Sequence, residues 1–217
     1  MTTRNFTPSC ENMPDTIPIF PLDGVLLLPR GHLPLNIFEP RYVAMVDDAL
    51  RSNRMIGMIQ PNNNPAHDGL PLFKTGCAGR IVQFQEADNG RYLITLRGVA
   101  RFDVTSELQT TTLYRQVQPK WNNYAEDYDQ IEDLGVDRAK LVTLLDQYFT
   151  IHDMTIDWKL ITAVNDEKLM TCLAMICPFS SCEKQALLEA PTCSERADIF
   201  MNLLEISVRS GATASQH

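Results

Sequence analysis

The stretch IPIFPLDGVLLLPRGHLPLNIFEPRYVAMVDDAL, residues 17–50, constrains the fold more than any other. Three apolar runs come first, Ile17–Phe20, Val25–Leu28 and Leu33–Phe38, each bounded by Pro or Gly. None is long enough for a buried helix, so they read as strands joined by tight turns. At Glu39-Pro40 the period changes. Pro40 suits the first turn of a helix, where its missing N–H is not needed. From there Tyr42, Val43, Val46, Ala49 and Leu50 fall on one face at helical spacing, with Asp47, Asp48 and Arg51 opposite. Asp47 and Arg51 form an i,i+4 pair on that helix, expected over Pro40–Ser52.

Further short strands follow: Met55–Gln60, Cys77–Phe84, Arg91–Arg97, Ala100–Thr105 and Tyr114–Lys120. Pro61–Pro65 reads as a loop, Asp88-Asn89-Gly90 as a hairpin turn, and Gly98 as an interruption between two strands. In Arg91–Arg97, Tyr92, Ile94 and Leu96 alternate with Leu93, Thr95 and Arg97, the pattern of a half-buried strand. Many short strands at close intervals predict a closed or nearly closed barrel. After residue 135 the period is helical. Helices are expected over Asp137–His152, Asp157–Val164, from Asn165 to Pro178, from Ser180 and from Thr192. Asn165 supplies a cap, and Ser180-x-x-Glu183 and Thr192-x-x-Glu195 are capping boxes. Leu169, Cys172, Leu173 and Ile176 are the expected buried face of one helix, and Gly211 the end of the last. The expected architecture is α+β: a mobile terminus over 1–15, a β-barrel subdomain over 16–120, an acidic linker over 121–135, a helical bundle over 136–210 and a tail over 211–217.

The order and spacing of these segments resemble the Lon N-terminal, substrate-binding domain family. The residues that carry the resemblance are Pro18-Ile19-Phe20-Pro21-Leu22, Val25 to Pro29, Leu33-Pro34-Leu35 and Ile37-Phe38-Glu39-Pro40-Arg41-Tyr42. KTGCAGRIVQF, GRYLITLRGVARFDV and PFSSCEKQALLEAPTCSERADIFMNLLE extend it to roughly residues 16–208. Arg30 stands where the family often has Gly after Pro. The resemblance implies a PUA-like barrel followed by a helical bundle. It also implies a non-catalytic module for unfolded or damaged polypeptides, working as an adaptor or holdase with a protease or a chaperone as partner.

The chemistry legible in the residues agrees with a binding role. There is no G-x-x-x-x-G-K-[ST], G-x-S-x-G or H-E-x-x-H, so neither a P-loop nor a hydrolase motif can be read, and the chain reads as such a domain without an ATPase or protease domain. No cofactor is expected. His32, His67, His152 and His217 have no neighbouring nucleophile in the sequence. Of the six cysteines, Cys172, Cys177, Cys182 and Cys193 lack the close pairing of structural zinc sites, so thiols rather than a metal centre are expected. No apolar run reaches the ~20 residues of a membrane span, and MTTRNFTPSCENMPDT has no apolar leader, so a bacterial cytoplasm is the expected compartment. Net charge is −8, with residues 121–217 holding 7 Lys/Arg against 16 Asp/Glu. That balance opposes general binding to phosphate backbones. RNA contact through Arg80, Arg91, Arg97 and Arg101 is the alternative to peptide binding, and paired surface charge is the plainer reading of the same arginines.

The candidate peptide site is the loop Leu26, Leu27, Leu28, His32 and Leu33, together with Phe38 at the barrel–bundle seam. Three consecutive leucines cannot all point inward from one strand. Either one faces out as an apolar contact surface, or the helical half covers the loop.

Overall fold

A computed structural model describes residues 9–62, 71–88, 90–129, 134–155, 158 and 163–214. The strands are β1 Ile17–Pro21, β2 His32–Ile37, β3 Met55–Ile59, β4 Thr75–Glu86, β5 Tyr92–Glu107 and β6 Gln116–Lys120. The helices are α1 Pro40–Arg51, α2 Arg138–Ile151, α3 Asp166–Ile176, α4 Ser181–Glu189 and α5 Cys193–Ala214. The helix expected over Asp157–Val164 and the loop beyond residue 62 lie largely outside the described residues.

One mixed sheet runs β2-β5-β4-β3-β1-β6, and β6 also pairs with β5. The pairing therefore cycles through β5, β4, β3, β1 and β6 and returns to β5. Only β1 with β3 is parallel; the other pairs are antiparallel. β5 is long enough to serve two neighbourhoods. Its first half pairs with β2 and its second half with β6. The expected break at Gly98 does not occur. Gly98 lies inside one continuous strand because a Cβ there would stand 1.9 Å from the Leu28 carbonyl oxygen. Its role is close backbone approach rather than a turn.

Two apolar clusters result. Ile17, Ile19, Met55, Val99, Phe102, Val117 and Trp121 fill one among the cycling strands. Phe102 occupies so much of it that a Cβ on Gly57 or Gly76 would come within 2.8 Å of its ring. The second cluster lies between the sheet and the helices. It joins Leu27, Leu28 and Leu96 to Leu141, Leu145, Tyr148, Leu173, Leu187, Phe200 and Leu204.

The helices begin as their caps dictate. Asp137, Asn165 and Ser180 each accept a backbone N–H, and Ser180 with Glu183 completes a capping box. Thr192 Oγ1 accepts the Glu195 N–H at 3.1 Å. Several side chains fall elsewhere than their spacing suggests. α3 buries Leu169, Met170, Leu173 and Ala174, whereas Cys172 and Ile176 are exposed. That face is rotated one position from the expected one, because α3 packs against both α4 and α5. α5 continues through Gly211 to Ala214; one Gly weakens a helix by only about 1 kcal/mol. In α1, Arg51 pairs with Asp48 at 3.3 Å, while Asp47 accepts the Tyr92 hydroxyl at 3.1 Å instead.

Candidate functional site

The segment between β1 and β2 is not a strand. Val25–Leu28 belongs to no strand and has no ladder partner. It lies on the inner side of β4 and β5, and the sheet makes room for it with glycines. A Cβ on Gly79 of β4 would sit 2.7 Å from Leu27 Cδ2, and one on Gly98 of β5 would sit 1.9 Å from the Leu28 oxygen. Leu26, Leu27 and Leu28 are consequently buried at 2%, 1% and 0% exposure. Of the two alternatives for this loop, the covered one holds and the exposed one does not: without a ladder the three leucines need not alternate, and all are buried in the cluster between the sheet and the helices.

Arg30 secures the end of this segment. Its φ of 65° is left-handed, a conformation natural to Gly and costing another residue about 1–2 kcal/mol. Three contacts hold it. The Arg30 N–H donates to Gly98 O at 2.8 Å, its Nη1 donates to Asp127 O at 2.8 Å, and its guanidinium pairs with Glu167 of α3.

The same sheet has an outer side at the β2 end. His32, Pro34 and Asn36 stand opposite Arg97, Thr95 and Leu93, which stand opposite Arg80, Gln83 and Gln85. Residues in register share a face, so these nine form three cross-strand rows. Phe38 follows as a fourth row, with the Arg91 guanidinium 5.7 Å from its ring centre. Ile94, Leu96, Leu33 and Leu35 take the other face, toward the core. A shallow groove of about 580 Å³ runs over the outer face. Phe38 is 62% exposed beside it and Leu93 42%. Among the described residues no strand pairs with the far edge of β2, and β3 leaves β4 uncovered beyond Arg80.

The structure therefore splits the six candidate residues. His32 and Phe38 belong to the outer face, Leu33 is half-buried beneath it, and Leu26, Leu27 and Leu28 pack the sheet from within. Leu93 and the β2 edge are not legible as a site from sequence, and Arg97 enters there only as one of four arginines for RNA contact. The alternation in RYLITLR places Leu93, Thr95 and Arg97 together, but only the register with β2 and β4 makes them one surface.

The remaining candidates are set apart from this face. Arg101 is not a surface arginine: it is fully buried and paired with Asp127 at 2.8 Å. Asp127 belongs to a 3-10 turn over Ala125–Tyr128, so the segment expected as an acidic linker carries a buried carboxylate. Among the described residues no three His, Cys, Asp or Glu groups converge on a possible metal site. Burial pushes the Cys177 thiol up to about 12 and raises that of Cys77 further, which makes both poor nucleophiles. His152 stacks on Tyr148 at 4.3 Å, and His67 and His217 lie outside the described residues. No helix of the described residues is long and apolar enough to cross a membrane.

A family model described as the ATP-dependent protease La (LON) substrate-binding domain matches residues 16–205. The chain belongs to the Lon substrate-binding domain family. Among relatives, it is 28% identical over 213 residues to Lon protease of Parabacteroides distasonis, which covers 89% of this chain and 24% of the relative. It is 28% identical over 134 residues to Lon protease 2 of Myxococcus xanthus, covering 60% of this chain and 16% of the relative. The chain thus spans a quarter or less of the length of these relatives. The fold is shared with the Lon N-terminal domain protein from Xanthomonas campestris, at a TM-score of 0.60 and 22% identity, over 86% of this chain and 97% of that one. It is shared also with the N-terminal domain of Mycobacterium avium complex Lon protease, at a TM-score of 0.62 and 18% identity, over 88% and 98%. The Lon substrate-binding domain is not a catalytic domain, and it supplies the α+β frame on which the outer face of β2, β5 and β4 is built.

Proposed function

We propose that this chain is a polypeptide-binding module that takes an extended apolar segment of an unfolded or damaged protein along the outer face beside β2. The observation that carries the reading is Phe38 and Leu93, two large apolar side chains exposed on an open, three-stranded sheet end. An unpaired strand edge accepts extended backbone, and alternate side chains of the guest fall on the groove. Pro34 has no N–H to offer, which weakens indiscriminate edge pairing and leaves selection to the side-chain face. Covering the exposed parts of Phe38 and Leu93 is worth about 1–2 kcal/mol each, or roughly tenfold in Kd per side chain. We read the cycling strands as the PUA-like half and the helices as a bundle that supports it from behind. Acting as an adaptor or holdase in the cytoplasm, the module would present bound chains to a protease or chaperone.

The test is fluorescence anisotropy of a labelled, permanently unfolded polypeptide titrated with this protein, with a folded protein as control. Saturable micromolar binding to the unfolded chain alone, weakened at least tenfold by Phe38→Ala with Leu93→Ser, is the expected result. No binding at high micromolar concentration, or equal binding by the double variant, overturns the reading.

A further inference from the structure

The outer face carries charge of one sign. Arg80, Arg97 and His32 stand in one cross-strand row, and Arg91 lies over Phe38 at the far end. No Asp or Glu occupies this face in the three strands. Glu86 stands opposite Tyr92 and shares the other face, and Glu39 beyond β2 is paired with Arg41 at 2.8 Å. Arg97 is exposed and has no ion-pair partner among the described residues. All this occurs in a chain of net charge −8. Between the cationic ends lie Pro34, Asn36, Thr95 and Leu93, apolar or uncharged.

We infer that the guest of this face is an extended peptide segment with acidic side chains on both flanks of its apolar residues. The inference rests on the peptide-binding reading above and specifies its ligand. The geometry sets the spacing. His32 and Phe38 are six residues apart on one strand, roughly 20 Å at the rise of an extended chain. A guest alongside β2 places residues i, i+2, i+4 and i+6 over the four rows. Carboxylates at i and i+6 then meet the Arg97–Arg80–His32 row and Arg91. Apolar side chains at i+2 and i+4 meet Pro34 and Leu93. An ion pair on such an exposed face adds selectivity more than affinity, so charge is expected to rank peptides that the apolar contacts already hold.

The experiment uses three labelled peptides with one alternating apolar core, differing only at i and i+6: Asp, Asn or Lys at both positions. Binding is measured at 50 mM and 500 mM salt, with a single-stranded RNA oligomer in parallel, for the wild type, Arg97→Glu and the milder Arg97→Gln. The expected order is Asp over Asn over Lys, with a tenfold or greater spread between Asp and Lys at low salt that collapses at high salt. Arg97→Glu reverses the order and Arg97→Gln narrows it, with melting temperatures unchanged because Arg97 is exposed. Equal binding of the three peptides, or an order insensitive to both variants, overturns this inference and leaves the peptide-binding reading standing. No binding of any peptide overturns both. RNA bound more tightly than the Asp peptide, and lost in Arg97→Glu, overturns the acidic-peptide assignment in favour of nucleic acid.

Discussion

Removing the carboxylate of Asp127 isolates the interaction that ties the sheet to the helices. Arg101 enters from β5 with its side chain fully buried. Its Nε and Nη2 donate to the two Asp127 oxygens at 2.8–3.1 Å, and its backbone N–H donates to Asp127 Oδ2 at 2.7 Å. Nη1 reaches the carbonyls of Leu188 at 3.0 Å and Ala190, and Nη2 that of Pro191 at 3.3 Å, where α4 ends. The Tyr124 ring stacks 4.0 Å from the guanidinium. Arg196 is buried close by, donating from Nε to Leu187 O at 2.9 Å. Its pKa is lowered first by burial and then by the charge of Arg101. An arginine does not shed its proton in a protein, so Asp127→Ala leaves two buried cations without that carboxylate. Breaking a buried pair by deleting one member costs about 3–5 kcal/mol. That is a large share of the 5–15 kcal/mol typical of a domain. For a chain of this size it corresponds to a fall in Tm of roughly 6–20 °C. Urea unfolding followed by tryptophan fluorescence, together with calorimetry, measures it. Asp127→Asn, which keeps an acceptor but not the charge, is expected to fall between the two. A loss below about 1 kcal/mol for Asp127→Ala would refute the account and mean that solvent reaches this cluster.

Leu27→Ala is expected to cost about 2–5 kcal/mol by urea unfolding, as for a core leucine, while Phe38→Ala stays within about 0.5 kcal/mol and weakens only peptide binding; the opposite pattern would restore the three leucines as the contact surface. Gly98→Ala drives a Cβ into the Leu28 carbonyl, so a loss of at least about 1–3 kcal/mol is expected, and a neutral Tm would show that the Val25–Leu28 segment is free to move away. Burial opposes ionisation of Asp166, but hydrogen bonds from Arg138 and the Leu134 N–H outweigh it and hold its pKa low; the Arg115 side chain does the same for Glu107. Both carboxyls have folded pKa values below their unfolded values near 4, so their contribution is complete above that range and is lost as pH falls through the folded values. Tm is expected to drop as pH falls from about 5 to 3, less steeply in Asp166→Asn, and superimposable profiles would rule out this origin.

What was legible in the sequence is what local chemistry decides. Pro40 at a helix start, the caps Asn165 and Ser180, and the alternation of β5 around Ile94 need no distant partner to be read. The misreadings fall where a distant partner decides. Gly98 looked like a break because its reason for being glycine, the Leu28 carbonyl, is seventy residues away in sequence. Cys172 and Ile176 were placed on the buried face of α3 because an i,i+4 stripe through Leu169 and Leu173 fits either of two adjacent faces. Arg101 reads from sequence like the exposed Arg91 and Arg97, because nothing near it announces Asp127, which sits in a segment of five acids that reads as solvent-facing.

The site divides along the same line, and for one physical reason. A strand shows in sequence which residues share a face, but not which face is covered. At the β2 end the covering is decided by the Val25–Leu28 segment, which takes the inner side of β4 and β5 for itself and brings the helices with it. The apolar residues that looked most available were thereby used to build the platform. The side left over is the one bearing Leu93, Phe38 and the arginines. The most hydrophobic stretch of the chain is thus its support, and the face proposed here for peptide contact is built of residues of mixed character on the opposite side of the same strands.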